Sequence, residues 1–183
     1  MQGRFRQAGR VTFKLIFSLV MALAILTGCK KAPVKDQSPV APPEPVLPTA
    51  AQPRLATMKL YLGREILEAE LARTPKEVET GMMYRTNIQD TDAMLFIFQQ
   101  PFRASFWMTN CPESISAAYI GPDGTIEEIH HLEKNDNVPV VATNDNIQFV
   151  LETSEGWFTR HHINPGTIIR TEQGSLTDTF FRR

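Results

Sequence analysis

Three polar side chains stand out because each one directly adjoins apolar residues. Arg85 follows a methionine-rich segment, and Asn110 ends an aromatic run that begins at Phe106. Glu152 ends the apolar run 149–151. An unpaired polar group costs about 1–3 kcal/mol when it is buried, and an unpaired charge costs more. We therefore predict that each side chain has a partner, and that Arg85 and Glu152 form an ion pair.

Two interpretations of these residues remain open. Either the polar groups join elements inside the core, or they converge on a ligand pocket with indole rings as walls. Binding of a small ligand or an envelope partner, such as a cell-wall fragment, is the favoured function. The alternative is a hydrolase in which Glu152 is the general base and Arg85 stabilises negative charge. The candidate pocket comprises Arg85, Trp107, Asn110, Glu152 and Trp157.

Residue types that commonly bind metals or act as nucleophiles show no recognisable spacing. The histidines form two adjacent pairs, 130–131 and 161–162, and neighbours in a strand point to opposite faces. A site built from one histidine of each pair with Cys111 or Glu152 is conceivable, but the spacing typical of zinc ligands is absent. The sequence thus predicts no metal and no cofactor, and it leaves the catalytic residues unassigned. Cys111 is interpreted as a partly buried small residue or as the site of an adventitious intermolecular disulfide bridge.

The elements that must position these residues are short. They predict an α+β fold over residues 55–172: a compact, mostly-β domain of about seven short strands with two packed helices. Thr74-Pro75-Lys76-Glu77 is typical of a helix start, with a capping box and an early proline. Residues 173–183 are expected to form a frayed tail. Strands are predicted at 58–62, 65–72, 94–98, 105–110, 115–120, 125–132 and 147–153, and helices at 75–84 and 155–162; a turn then leads the chain into 167–170.

The N-terminal segment has the features of a lipoprotein signal peptide. A basic region precedes a twelve-residue apolar core, 15–26, which is too short for a transmembrane span. Small residues then precede Cys29, as in a bacterial lipobox. We expect residues 1–28 to be removed and Cys29 to be acylated, since two acyl chains hold a protein stably on a membrane.

The segment after Cys29 is predicted to be a tether. Residues 29–54 hold seven of the thirteen prolines of the chain, and proline favours an extended backbone over packing. In many Gram-negative lipoproteins an aspartate directly after the acylated cysteine acts as an inner-membrane retention signal. This chain has Lys30 at that position, and by this resemblance we expect an outer-membrane anchor facing the periplasm. Residues 29–183 carry 15 basic and 20 acidic residues, which argues against a nucleic-acid partner.

Four motifs follow one another along the chain: residues 81–85 (GMMYR), 94–98 (MLFIF), 106–110 (FWMTN) and 151–152 (LE) with Gly156-Trp157 after them. In order and spacing they resemble the motifs of the domain of unknown function 192 family. The resemblance covers about residues 60–169 and implies a compact, mostly-β envelope or secreted domain, without an established reaction. The glycine that usually precedes the Met-Leu-Phe run is Ala93 here. An acidic residue common in the family corresponds to Ser116, which weakens the hydrolase interpretation. The signature residues that the resemblance assigns are Gly81, Met83, Arg85, Met94, Leu95, Phe96, Trp107, Met108, Asn110, Glu152, Gly156 and Trp157.

Overall fold

The computed structural model describes residues 47–182 of the chain. The predicted signal peptide, Cys29 and most of the predicted tether lie outside the described residues. The described part is mostly β, with ten strands and three short helices, and not about seven strands and two helices. None of these helices is long and apolar enough to cross a lipid bilayer. The strands are β1 (Thr57–Leu62), β2 (Glu65–Ala72), β3 (Ala93–Phe102), β4 (Ser105–Phe106), β5 (Ile115–Ile120), β6 (Ile126–Leu132), β7 (Val140–Val141), β8 (Ile147–Ser154), β9 (Ile169–Thr171) and β10 (Gly174–Ser175), and the helices are α1 (Pro75–Thr80), α2 (Trp157–Arg160) and α3 (Leu176–Phe180).

Eight of the strands form one sheet in the order β10-β9-β1-β2-β3-β8-β5-β6. Its neighbours pair antiparallel, except for β2 and β3, which are parallel. Parallel strands need a crossover, and α1 together with the turns after it provides this connection. β4 and β7 form a separate two-stranded sheet. The centre of the large sheet is deeply buried, since every residue of β5 and β8 is buried.

Alternation along the central strands divides the core into two clusters, one on each face of the sheet. The Leu95 cluster contains Leu95 of β3, Leu151 of β8 and Trp157. The Phe96 cluster contains Phe96 of β3 and Val150 of β8, together with residues of the turn after α1. Successive side chains of β8 point to opposite faces of the sheet. Leu151 points into the Leu95 cluster, and Glu152, the next residue, therefore points to the face of the Phe96 cluster.

Helix α1 begins as the sequence predicts and ends earlier. The Thr74 hydroxyl accepts a hydrogen bond from the Glu77 amide, and the Glu77 carboxylate accepts one from the Thr74 amide. The helix ends at Thr80, not near Tyr84, because Gly81 adopts a φ of 47°. This conformation lies outside the helical region and is accessible mainly to glycine.

Two other expectations are wrong. Residues 105–110 were expected to form a strand, but β4 ends at Phe106 and the chain then turns, with a φ of 60° at Asn110. The C-terminal segment is not a frayed tail within the described residues. It forms β10 and α3, the Ser175 side chain caps the helix by accepting from the Asp178 amide, and Leu176 is fully buried in the core.

Candidate functional site

A cavity of about 280 Å³ opens on the face of the Phe96 cluster, between α1 and the edge of β3. Met82 and Met83, in the turn after α1, form part of its wall. Glu152 and Cys111 supply polar atoms to an otherwise largely apolar surface. The aromatic side chains that line it are Phe96, Phe98, Phe102, Phe106 and Trp107.

The close approach of the turn to β3 depends on a glycine. A Cβ atom on Gly81 would lie 3.2 Å from the ring of Phe96, and the positive φ at this position disfavours other residues. Phe96 in turn packs edge-to-face against Phe106 of β4, with 5.2 Å between ring centroids. Gly81 therefore allows the methionines of the turn to close over the aromatic wall.

Glu152 lies at the centre of the sheet. On β8 it pairs with Met94 of β3 on one side and with Ala117 of β5 on the other. Its side chain is buried, with the residue only 5% exposed, and it forms no hydrogen bond or ion pair with any residue of 47–182. Burial raises the pKa of Glu152 to about 8, and the positive charge of Arg85 counteracts this only in part. The carboxyl group is therefore mostly protonated at neutral pH.

The predicted ion pair between Arg85 and Glu152 is wrong, because Arg85 binds Glu70 of β2. Its two terminal nitrogens lie 2.5 and 2.8 Å from the two carboxylate oxygens of Glu70. The Leu55 amide and Arg54 also donate to this carboxylate, at 2.7 and 2.8 Å. Burial opposes ionisation of Glu70, but the hydrogen bonds from Arg85, Leu55 and Arg54 outweigh it and lower its pKa to about 2.

The segment ahead of β1 is attached to the rim of the cavity. Leu47 lines the cavity, and the Pro48 carbonyl accepts a hydrogen bond of 3.0 Å from the Tyr84 hydroxyl. The Gln52 side-chain amide donates to the Gly81 carbonyl at 2.9 Å. The last residues of the predicted tether are thus part of the wall of the site.

The structure brings together only part of the predicted pocket. Glu152 and the half-exposed Trp107 line the cavity, and Arg85 lies behind the methionine turn in its pair with Glu70. Asn110 shapes the neighbouring loop, where its backbone carbonyl accepts a hydrogen bond of 2.8 Å from the Tyr84 amide.

Trp157 lies apart from these residues. It is buried in the Leu95 cluster on the opposite face of the sheet, and it stacks on His161 with 4.3 Å between ring centroids. Trp157 is therefore not a wall of the cavity.

Ser116 occupies the position at which the family resemblance implies an acidic residue. Its hydroxyl accepts a hydrogen bond from the Gly156 amide.

The sequence analysis did not identify Glu70, and it did not include Cys111 in the candidate pocket. Glu70 lies between Ala69 and Leu71, so the criterion that selected Glu152, a polar residue next to apolar ones, also applies to Glu70. Cys111 lines the cavity, and burial together with the charge of Glu152 raises its pKa to about 12. Both titratable groups at the buried end of the cavity therefore hold their protons at neutral pH.

The histidines are held mainly by neighbouring glutamates. His130 lies 2.8 Å from Glu128, and His161 lies 3.1 Å from Glu65. Within residues 47–182, no group of three or more histidine, cysteine, aspartate or glutamate side chains is placed to hold a metal ion.

Comparisons with known proteins give a family and a fold. The family model DUF192, described as an uncharacterized ACR, matches residues 58–171. A crystal structure of a candidate transcription regulator from Sinorhizobium meliloti is 28% identical with a TM-score of 0.62, and the match covers 66% of this chain and 98% of that one. A protein of unknown function from Novosphingobium aromaticivorans is 30% identical with a TM-score of 0.61, and the match covers 66% of this chain and 91% of that one. No curated protein matches the chain.

The substitution Arg85→Met should lower the free energy of unfolding by about 3–5 kcal/mol, because it leaves the buried Glu70 carboxylate without its main partner. A second change, Glu70→Gln, should recover part of this loss. Urea denaturation of the full chain measures both effects. The matched control is Arg64→Met at an exposed turn, which should change stability by less than about 0.5 kcal/mol. A cost at Arg85 no larger than at Arg64 would show that the pair does not stabilise the fold.

Raising the pH from 5 to 8 should destabilise the protein through Glu152. The folded state keeps this proton up to a pKa of about 8, whereas the unfolded chain releases it near 4.5, so unfolding releases a proton in this range. The loss approaches ~1.4 kcal/mol per pH unit. Urea denaturation across pH should show that Glu152→Gln lacks this slope, while the exposed control Glu127→Gln retains it. Parallel curves for wild type and Glu152→Gln would contradict the assignment.

Proposed function

Because the chain belongs to the domain of unknown function 192 family, whose description assigns no reaction, we infer its function from the cavity. We propose that it binds a small, largely apolar ligand there, with Glu152 holding the polar end. One observation carries the proposal: the buried Glu152 carboxyl group faces the cavity and has no partner among residues 47–182. Among the described residues only Asp178 Oδ1 is a fully enclosed side-chain atom without a hydrogen-bond partner, so the Glu152 oxygens are open to the cavity, where a polar group of a ligand would reach them.

The dimensions and walls of the cavity support a small ligand. Ligand pockets of about 300–1,000 Å³ are usual, and a volume of about 280 Å³ lies just below this range, which suits a small ligand. Aromatic and methionine side chains provide apolar contacts that adapt to shape. A buried carboxyl group amid such walls fixes orientation, as the few polar groups of ligand pockets commonly do.

The hydrolase alternative has less support from the geometry. A general base must be deprotonated, and Glu152 holds its proton at neutral pH because its pKa is raised to about 8. The cationic Arg85, which would stabilise negative charge, is committed to Glu70. Binding therefore requires fewer changes in the site than hydrolysis does.

We also propose that the protein is a lipid-anchored accessory protein of the bacterial envelope, facing the periplasm from the outer membrane. The lipobox-like sequence before Cys29 and the proline-rich segment that follows support this location. The acidic balance of residues 29–183 favours a small molecule or an envelope partner over nucleic acid. The description of the Sinorhizobium meliloti protein as a candidate transcription regulator is not carried over to this chain for that reason.

Ligand binding should shift the methyl signals of Met82 and Met83, which line the cavity. The full chain, with methionine methyl groups labelled with carbon-13, is titrated with small aromatic and branched-alkyl molecules that carry ammonium, hydroxyl or carboxylate groups. At least one class should give a saturable shift, while Met58 on β1 stays unchanged. If the protein is a hydrolase, the ligand signals disappear with time, whereas binding alone preserves them.

A blocked cavity provides the control for this titration. Val78→Trp places an indole at the wall formed by α1 and should abolish the shifts. Val138→Trp makes the same substitution at an exposed position that does not line the cavity and should leave them intact. No saturable shift with any class, or an equal shift in Val78→Trp, would refute binding in this cavity.

Acylation at Cys29 should be visible in a Gram-negative host. We expect the wild-type chain to incorporate radiolabelled palmitate and to fractionate with the outer membrane. Cys29→Ser should lose the label, because it removes the thiol that is acylated. Cys111→Ser is the matched control and should be labelled like the wild type. Label that persists in Cys29→Ser would rule out lipidation at this position.

A further inference from the structure

We propose that the cavity selects an organic cation, with an ammonium group held between the Glu152 carboxylate and the aromatic wall. This inference rests on the proposed function, because it presumes that the cavity binds a small ligand. It adds the charge and chemical class of that ligand. Three features of the cavity support it: the negative sign of its charged groups, the aromatic side chains of its wall and the lack of a positively charged partner for Glu152 among residues 47–182.

The first feature is the charge of the lining residues. Glu152 lies at the buried end of the cavity and Glu79 lies on α1 at its wall. No lysine or arginine is among the residues of 47–182 that line the cavity. An anionic ligand would meet two carboxyl groups and no cation, so the lining discriminates against it.

The second feature is the aromatic wall. Trp107 and the phenylalanines of β3 and β4 surround the apolar part of the cavity. The faces of aromatic rings attract cations, and indole does so most strongly. Trp107 lines the cavity and is half-exposed, so its indole ring is accessible from solvent. Methionine or leucine walls would serve a neutral ligand equally well, whereas an aromatic wall beside a carboxyl group favours an ammonium group.

The third feature is that four titratable groups of the described residues near the cavity, Arg85, Tyr119, Cys111 and Glu79, do not supply a positive charge to Glu152. Arg85, in the turn after α1, is paired with Glu70. The Tyr119 hydroxyl of β5 donates to the Val140 carbonyl at 2.7 Å. The thiol of Cys111, before β5, is protonated, and Glu79 on α1 is an acid. None of these groups supplies the positive charge that an ionised Glu152 requires, so a ligand cation would.

Binding of such a cation is linked to a proton. In the free protein the Glu152 carboxyl group holds its proton, and the O–H bond breaks when the ammonium group arrives. The electron pair stays on the carboxylate, and the proton passes to solvent. A quaternary ammonium ligand has no proton to exchange, so any proton released comes from the protein. At pH 7, below the raised pKa of Glu152, most of these carboxyl groups are protonated in the free protein, so binding should release up to one proton per ligand.

Calorimetric titration of the full chain tests the inference. The probes are choline and benzyltrimethylammonium, each compared with its uncharged carbon isostere, 3,3-dimethylbutan-1-ol and neopentylbenzene. Titration in two pH 7 buffers of different ionisation enthalpy counts the released protons. The wild type should bind at least one ammonium probe about tenfold more tightly than its isostere, with proton release. Glu152→Gln should lose both the preference and the release, while the exposed control Glu127→Gln should keep both.

The outcomes separate this inference from the proposed function. Equal binding of probe and isostere, or binding of neutral or acidic molecules only, would overturn the selection of cations and leave a ligand-binding cavity. Tight binding of the ammonium probe without proton release, or with release that persists in Glu152→Gln, would overturn the role of Glu152. No binding by any molecule, together with unchanged methionine signals, would overturn both proposals.

Discussion

The ion pair between Arg85 and Glu70 connects the segments that build the cavity. Glu70 belongs to β2, Arg85 to the turn after α1, and Arg54 with the Leu55 amide to the segment before β1. All of these donors converge on one buried carboxylate. A buried charge tolerates such a place only when its partners are complete. The arrangement fixes the methionine turn against the sheet, and it binds the guanidinium group of Arg85, whose charge also acts on Glu152. Because Arg85 is paired with Glu70, Glu152 has no ion-pair partner among residues 47–182.

The sheet gives its two faces different roles. Side chains alternate along β3 and β8, so Leu95 and Phe96 enter different clusters although they are adjacent in sequence. One face carries the closed core around Trp157, and the other carries the cavity and Glu152. The two tryptophans of the chain therefore differ in kind: Trp157 packs the interior, and Trp107 stands at an opening.

Local signals in the sequence predicted much of the fold. The β1–β2 hairpin, the capping box of α1 and the strand from Ile115 to Ile120 are confirmed, because neighbouring residues determine them. The short pairs β4–β7 and β9–β10 were missed or misplaced, because strands of two or three residues have no periodicity to detect. Helix α3 was not predicted, because Leu176 stabilises it by packing against residues that are far from it in the sequence.

The site was predicted less completely than the fold. Adjacency to apolar residues indicated that Glu152 is buried and that Arg85 is partly buried, but it predicted the wrong partner for Arg85. Pairing depends on strand order, and β2 lies on the far side of β3 from β8. Sequence distance carries no such information. Likewise, the motif that contains Trp157 adjoins Glu152 in the chain, yet the chain passes to the other face of the sheet within that interval.

The attachment of Leu47, Pro48 and Gln52 to the rim makes the cavity sensitive to mechanical tension. A pulling force on the chain ahead of residue 47 acts on these contacts before it reaches β1. Single hydrogen bonds such as that between Tyr84 and Pro48 contribute about 1 kcal/mol each, whereas β1 is held by a six-residue ladder to β2. Under load the rim would yield while the sheet remains intact. A pulling force on the chain ahead of residue 47 would therefore change the shape of the cavity before it disrupts β1.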